Sequence, residues 1–135
     1  MATRDINMKK SLLACLATTF LLSTQLLAQE PSFDGIVKSV TDGDTFRMVN
    51  LKPAIRVWGL DAPEREEAGG YAATHALSGL ISDQLLRCHI KDVDRYGRIV
   101  GQCFLQDGRD IAAVMIQLNV AQEYCRYSGG FYETC

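Results

Sequence analysis

Zinc chemistry is the first thing this sequence lacks: it has two histidines and five cysteines in 135 residues, with no C-x-x-C or H-x-x-x-H pair. The ligand spacing of a zinc site is therefore missing. Excess positive charge is missing too, since 14 Lys and Arg against 16 Asp and Glu leave a net charge of −2. That sign excludes a protein that grips nucleic acid through a bulk basic surface. No internal repeat or low-complexity stretch occurs, which excludes solenoid architectures. The apolar run Leu12–Leu27 is interrupted by Ser and Thr and is short for a membrane span.

What is present begins with an address. Lys9-Lys10 precede that apolar run, and Ala28 offers a small residue before polar Gln29-Glu30-Pro31. This pattern predicts a cleaved export signal over residues 1–28, with Met8 an alternative start. Leu12-Leu13-Ala14-Cys15 offers a lipoprotein alternative, although most of the apolar run then follows the cysteine instead of preceding it. The expected mature part, residues 29–135, is one small domain by size. Arg4, Lys9, Lys10 and Asp5 leave with the signal, so 11 basic and 15 acidic residues remain, net −4. Any grip on phosphate must then be local, and no membrane attachment is expected after processing.

Four cysteines remain, an even number in an exported chain, which favours disulfides over free thiols and permits three connectivities. Cys88 and Cys103 sit on two strand-like runs that fold back around Asp94–Gly97, so they are expected to face one another across a hairpin. Cys125 and Cys135 then form the second bridge.

Hydrophobic alternation predicts strands at 33–40, 45–49, 55–60, 88–93 and 98–105. Residues 65–70, Arg-Glu-Glu-Ala-Gly-Gly, read as a mobile loop with Glu66 and Glu67 solvated. Ala73, Leu77, Leu80, Ile81 and Leu85 recur at spacings of three and four, predicting an amphipathic helix over 71–86. Asp110 reads as the N-cap of a second helix, 111–118, with Asn119 its stop. Trp58, Met48 and Met115 read as core, and His75 and His89 as structural or exposed.

Three segments carry chemistry: Asp42-Gly43-Asp44-Thr45, then Arg56 to Asp61-Ala62-Pro63-Glu64, then Asp94-Arg95-Tyr96-Gly97-Arg98. Each places carboxylates or guanidinium groups at the edge of a strand, where a rigid scaffold aims them. The inventory suits a hard divalent cation and a phosphate under attack. Asp94 reads as a residue that fixes its own turn, and Asp42 as another turn residue.

The order D-G-D-T, R-x-x-x-x-D-x-P-E, D-x-Y-G-R resembles the thermonuclease, or staphylococcal-nuclease-like, family over roughly residues 36–127. The resemblance implies an α+β, mainly β fold: a five-stranded Greek-key barrel of the oligonucleotide/oligosaccharide-binding (OB) type with two to three helices. It implies a secreted or periplasmic, calcium-dependent endonuclease acting on single-stranded DNA and RNA, presumed monomeric, with 3′-phosphate products. In that reading Asp44, Asp61 and the Ala62 backbone carbonyl hold Ca2+, and Glu64 orients or deprotonates the attacking water. Arg56 and Arg98 hold the phosphate, and Tyr96 and Tyr124 contact the nucleotide. The loop after Glu64 departs from the family, being shorter and carrying Glu66-Glu67 where a lysine-rich segment occurs in its best-known member. The Cys125–Cys135 bridge stands where larger relatives have a long C-terminal helix. The alternative function is an OB-type module that binds nucleotides or oligonucleotides without cutting; the presence of the water-orienting Glu64 argues against it.

Overall fold

Alternating apolar residues along an eleven-residue segment make β1, Ser32–Asp42, the longest strand of the computed structural model, which describes residues 28–135. The leader expected over 1–28, with Met8 and Cys15, lies outside the described residues except for Ala28. A tight turn at Gly43-Asp44 leads into β2, Thr45–Met48, and β3, Ile55–Val57, follows. After β4 (Leu60–Asp61) and α1 (Gly70–Ile81) come β5 (Leu85–Val93) and β6 (Ile99–Phe104). The chain then forms α2 (Ile111–Gln117), β7 (Gln122–Glu123) and α3 (Cys125–Ser128).

Five strands close a barrel in the order β1-β2-β3-β6-β5. Every pairing is antiparallel except β3 with β6, whose connection runs through α1 and β5. The expected α+β OB-type barrel is thus present, mainly β with three helices. Inside it Phe46, Ile55 and Leu86 meet Leu77 and Ile81 of α1 and Met115 of α2, all nearly inaccessible to solvent. Met48 joins this core as expected. His75 is exposed and stacks on Tyr71, while half-buried His89 meets the edge of Phe104.

Two elements end earlier than the hydrophobic pattern suggests. The strand expected over 55–60 splits because Gly59 takes φ +70°, a left-handed conformation that breaks the ladder. Leu60 and Asp61 leave the barrel to pair with Glu123 and Gln122 of β7. The helix expected to reach Leu86 stops at Ile81, and Asp83 reverses the chain at φ +59°. Leu85, which fits the helical spacing, instead pairs with Ile36 to close the barrel.

Both expected disulfides form. Cys88 and Cys103 are directly opposed on β5 and β6, with Cα atoms 4.1 Å apart, and are fully buried. Cys125–Cys135 ties α3 to the C-terminal residue. Each contributes on the order of 3 kcal/mol by restricting the unfolded chain.

The C-terminal loop has two polar fasteners. Asp110 caps α2, accepting from the N–H groups of Ala112 and Ala113 as expected, and its second oxygen accepts from Tyr132 Oη at 2.9 Å and Gln102 Nε2 at 2.8 Å. Burial and the neighbouring Asp110 carboxylate push the Tyr132 phenol well above its usual range, so it stays a donor. Tyr132→Phe is expected to cost about 1 to 2 kcal/mol, read as a lower melting temperature with the barrel intact. The second fastener is Glu123, whose carboxylate accepts from Tyr132 N, Thr134 N, Thr134 Oγ1 and Ser128 Oγ. Burial raises this carboxyl, but those four donors outweigh it and bring it down to about 2.

Candidate active site

Asp44 reaches its position because Gly43 does. A Cβ at residue 43 would lie 2.6 Å from both the Ala62 and the Ala73 Cβ atoms, so only glycine lets the β1–β2 turn settle against the β4 end and α1. The Asp42 side chain accepts from Asp44 N at 3.1 Å and shapes the turn, as its sequence position suggests. Asp44 is then buried, at 7% exposure. Its Oδ1 accepts from Thr45 Oγ1 at 3.0 Å, and its Oδ2 accepts from Ala62 N at 3.0 Å. Burial pushes its carboxyl up to about 6, against the opposing pull of Arg56.

Arg56 sits at the centre of the cluster. Its Nη1 lies 3.2 Å from Asp44 Oδ2 and donates to the Leu60 and Val57 carbonyls at 2.7 and 3.2 Å. Its Nη2 lies 3.8 Å from Asp61 Oδ1. Nη1 thus braces the chain where β3 leaves the barrel and lies against Asp44, while Nη2 faces Asp61. Across the cluster, Arg98 Nη1 approaches Thr45 Oγ1 at 3.4 Å and its Nε donates to Asp94 Oδ2 at 2.6 Å. Asp94 also accepts from Tyr96 N and Arg98 N, the turn-fixing part its motif suggests. Thr45 therefore joins the Asp44 side to the Arg98 side, a link for which the sequence carries no signal beyond its place in D-G-D-T.

Glu64 is exposed, and its backbone is held firmly. Its N–H donates to Glu67 Oε2 at 2.9 Å, its carbonyl accepts from Glu67 N, and Gly70 N donates to the Glu67 carbonyl. The segment expected to be mobile is thus a hydrogen-bonded series of turns, with Glu67 bonded and not merely solvated. Its tightest point is Gly70, where a Cβ would stand 1.7 Å from the Glu64 carbonyl oxygen. Gly70→Ala must therefore displace the Glu64 backbone. The variant is expected to lose about 1 to 3 kcal/mol of stability, read as a lower melting temperature.

Asp44, Arg56, Asp61, Glu64, Tyr96, Arg98 and Tyr124 all line one open cavity of about 780 Å³. Ala62 enters the site through its N–H rather than as part of the cavity lining. Tyr96 is exposed and lies under two guanidinium groups, with Arg95 Cζ 4.8 Å and Arg98 Cζ 5.4 Å from its ring centroid. Tyr124 meets Tyr127 edge to face at 4.8 Å, and both line the same cavity. Trp58, expected in the core, is only half-buried: its N–H still donates to the Gly101 carbonyl of β6, and strand alternation sets its side chain with Arg56 on the face away from buried Ile55 and Val57, where it lines this cavity and packs on Phe131 and Tyr132.

The donor set fits a hard cation. Asp44 and Asp61 converge on one guanidinium from 3.2 and 3.8 Å, and burial disfavours the Asp44 negative charge that a cation would stabilise. Among the described residues, Glu123, Cys125 and Cys135 also bring potential ligand atoms within 4.8 Å of one another. Both sulfurs there are spent in the disulfide, so that cluster is not the metal centre.

A closed five-stranded barrel with carboxylates and arginines gathered around one cavity defines the class: an OB-type barrel with a charged site. Comparison with known sequences supplies the family. The model described as "Staphylococcal nuclease homologue" matches residues 54–134, which include Arg56 through Arg98, and the chain belongs to this family. Similar proteins include an uncharacterized endonuclease of Escherichia coli, 31% identical over 96 residues covering 70% of this chain and 63% of that protein. A micrococcal nuclease of Shigella flexneri is 37% identical over 107 residues, covering 72% of this chain and 61% of its own length. A probable staphylococcal-like nuclease of Oryza sativa is 31% identical over 102 residues, covering 70% and 30% respectively. The chain thus spans less than two thirds of the length of these curated relatives.

Proposed function

We propose that this protein is a calcium-dependent endonuclease that hydrolyses phosphodiester bonds of single-stranded DNA and RNA with little sequence specificity. It works as a monomer outside the cytoplasm and leaves 3′-phosphate ends. The observation that carries the reading is the convergence of Asp44, Arg56 and Asp61 at one end of a cavity that also takes in Glu64 and Arg98. Family membership supports phosphodiester chemistry. The two disulfides support an oxidising compartment. Among the described residues, no helix is long and apolar enough to cross a membrane.

Asp44 and Asp61 hold the cation, with the Ala62 carbonyl as a further ligand. When bound, calcium neutralises charge on the attacked phosphate. Glu64 takes the proton of the attacking water, whose oxygen forms the new bond to phosphorus as the P–O5′ bond breaks and the leaving 5′ oxygen takes up a proton from solvent to become the 5′-hydroxyl. Arg98 faces the leaving oxygen, and the outer edge of Arg56 holds a phosphate oxygen. Tyr96 and Tyr124 contact the nucleotide. Hydrolysis of single-stranded DNA is expected to stop in EDTA and return with excess calcium. Cleavage indifferent to chelation would contradict the reading; oligonucleotide binding without cleavage in calcium would make the protein a binding module.

A further inference from the structure

Lys91 lines the same cavity, yet none of the chemistry above employs it. Its ammonium lies 5.2 Å from the centroid of the Trp58 ring and 2.9 and 2.7 Å from the two carboxylate oxygens of Glu30. The lysine side chain is only 21% exposed, against 52% for its partner. Trp58 in turn is fixed by the edge of Phe131, 5.4 Å between centroids, and by Tyr132 at 6.0 Å. Glu30 is delivered by the segment that enters β1, because Ile90 N donates to the Pro31 carbonyl and lays that segment along β5.

Among the cavity's other cations, Arg95 donates to Tyr96 Oη and Arg126 stands exposed on α3. Arg56 is held between Asp44 and Asp61, and Arg98 is bonded to Asp94. In a domain carrying a net charge of −4 over residues 29–135, holding a polyanion falls to individually aimed cations. Lys91 is such a group: seated on an aromatic face, little exposed, and covered by one carboxylate. An ion pair whose carboxylate faces solvent adds little to stability. The Glu30 contact is therefore weak enough for a phosphate to replace.

We propose that Lys91, on its Trp58 seat, is a second phosphate-binding residue, and that Glu30 occupies it in the free protein until substrate displaces it. The inference rests on the nucleic-acid reading above. Lys91 holds the phosphate of a nucleotide flanking the scissile bond. A chain long enough to reach both sites gains a contact that a mononucleotide lacks, so the protein favours oligonucleotides over their monomers.

The test is binding in EDTA, where cleavage is not required, by anisotropy of a labelled dT tetranucleotide with thymidine 5′-monophosphate as competitor. Lys91→Met is expected to weaken the tetranucleotide about tenfold, the loss of one charge-assisted contact, and to leave the mononucleotide within about twofold. It should also flatten the dependence of log affinity on log salt by about 0.7, while Lys91→Arg keeps the slope. Glu30→Gln should tighten the tetranucleotide several-fold, and do nothing in a Lys91→Met background. Emission from Trp58, the sole tryptophan, reports whether the seat is intact in each variant. An unchanged salt slope in Lys91→Met, or a Glu30→Gln effect that persists without Lys91, overturns the inference alone. A wild-type protein that binds neither ligand overturns it together with the nucleic-acid reading.

Discussion

Replacing Glu64 by Gln is expected to slow cleavage of single-stranded DNA in calcium by at least about a hundredfold, the usual worth of a positioned proton acceptor. The melting temperature should not move. The physical reason for the separation is that Glu64 is fixed through its main chain, by Glu67 and Gly70, while its exposed carboxylate takes no part in the hydrogen bonds of the fold. Gln keeps the shape and the turn but cannot accept the water's proton. Initial rates on a labelled oligonucleotide, with circular dichroism on the same sample, check both halves. Near-normal cleavage by Glu64→Gln would remove Glu64 from the chemistry.

A second large effect is expected at Asp44. Its carboxyl is raised by burial from the usual 3.8 to about 6, so in the metal-free protein its proton stabilises the fold. That contribution is fully present below pH 3.8 and is lost as pH rises through about 6. A bound cation has the opposite requirement, since it needs the carboxylate. Calcium should therefore raise the melting temperature clearly at pH 7.5 and progressively less below pH 6. At a calcium concentration a hundred times its dissociation constant, the stabilisation at high pH is about 2.7 kcal/mol. Asp44→Asn should abolish the calcium shift at both pH values and reduce cleavage by more than about a hundredfold. Thermal unfolding in calcium and in EDTA at pH 5 and 7.5 is the measurement; equal calcium shifts at the two pH values, or a shift that survives in Asp44→Asn, would remove Asp44 from the metal site.

Much of the site was legible because its parts are local. Asp42-Gly43-Asp44-Thr45 is a turn whose residues announce themselves, and Asp94 bonds within its own motif. Cys88 and Cys103 were readable as a pair because a hairpin places them opposite one another. The closed barrel was less so: alternation gave its strands, while the choice of the OB-type closure came from the family resemblance. Where the reading failed, long-range packing overrode a local pattern. Leu85 satisfies the helical period, yet its pairing with Ile36 wins once Asp83 turns the chain. Trp58 follows an apolar strand, but alternation puts it on the face of Arg56, so it lines the cavity instead of the core. Glu123 carried no motif at all. Its importance comes from donors 5 to 11 residues downstream, which only the folded C-terminal loop brings to its carboxylate.

The two disulfides also differ in access, and this sets an order of failure. Cys88–Cys103 is sealed inside the barrel wall, whereas both cysteines of the other bridge are exposed. A dithiol reductant meets Cys125–Cys135 first. Tyr124, Arg126 and Tyr127, which line the cavity, stand beside that bridge, and Asp61 pairs with Gln122 just before it, while Asp44 and Arg56 are carried by the barrel itself, at the β1–β2 turn and on β3. In a reducing compartment the wall proposed to receive the nucleotide would loosen while Asp44 and Arg56 stayed in place on the barrel, so under that proposal the protein would lose its hold on substrate before it lost its fold.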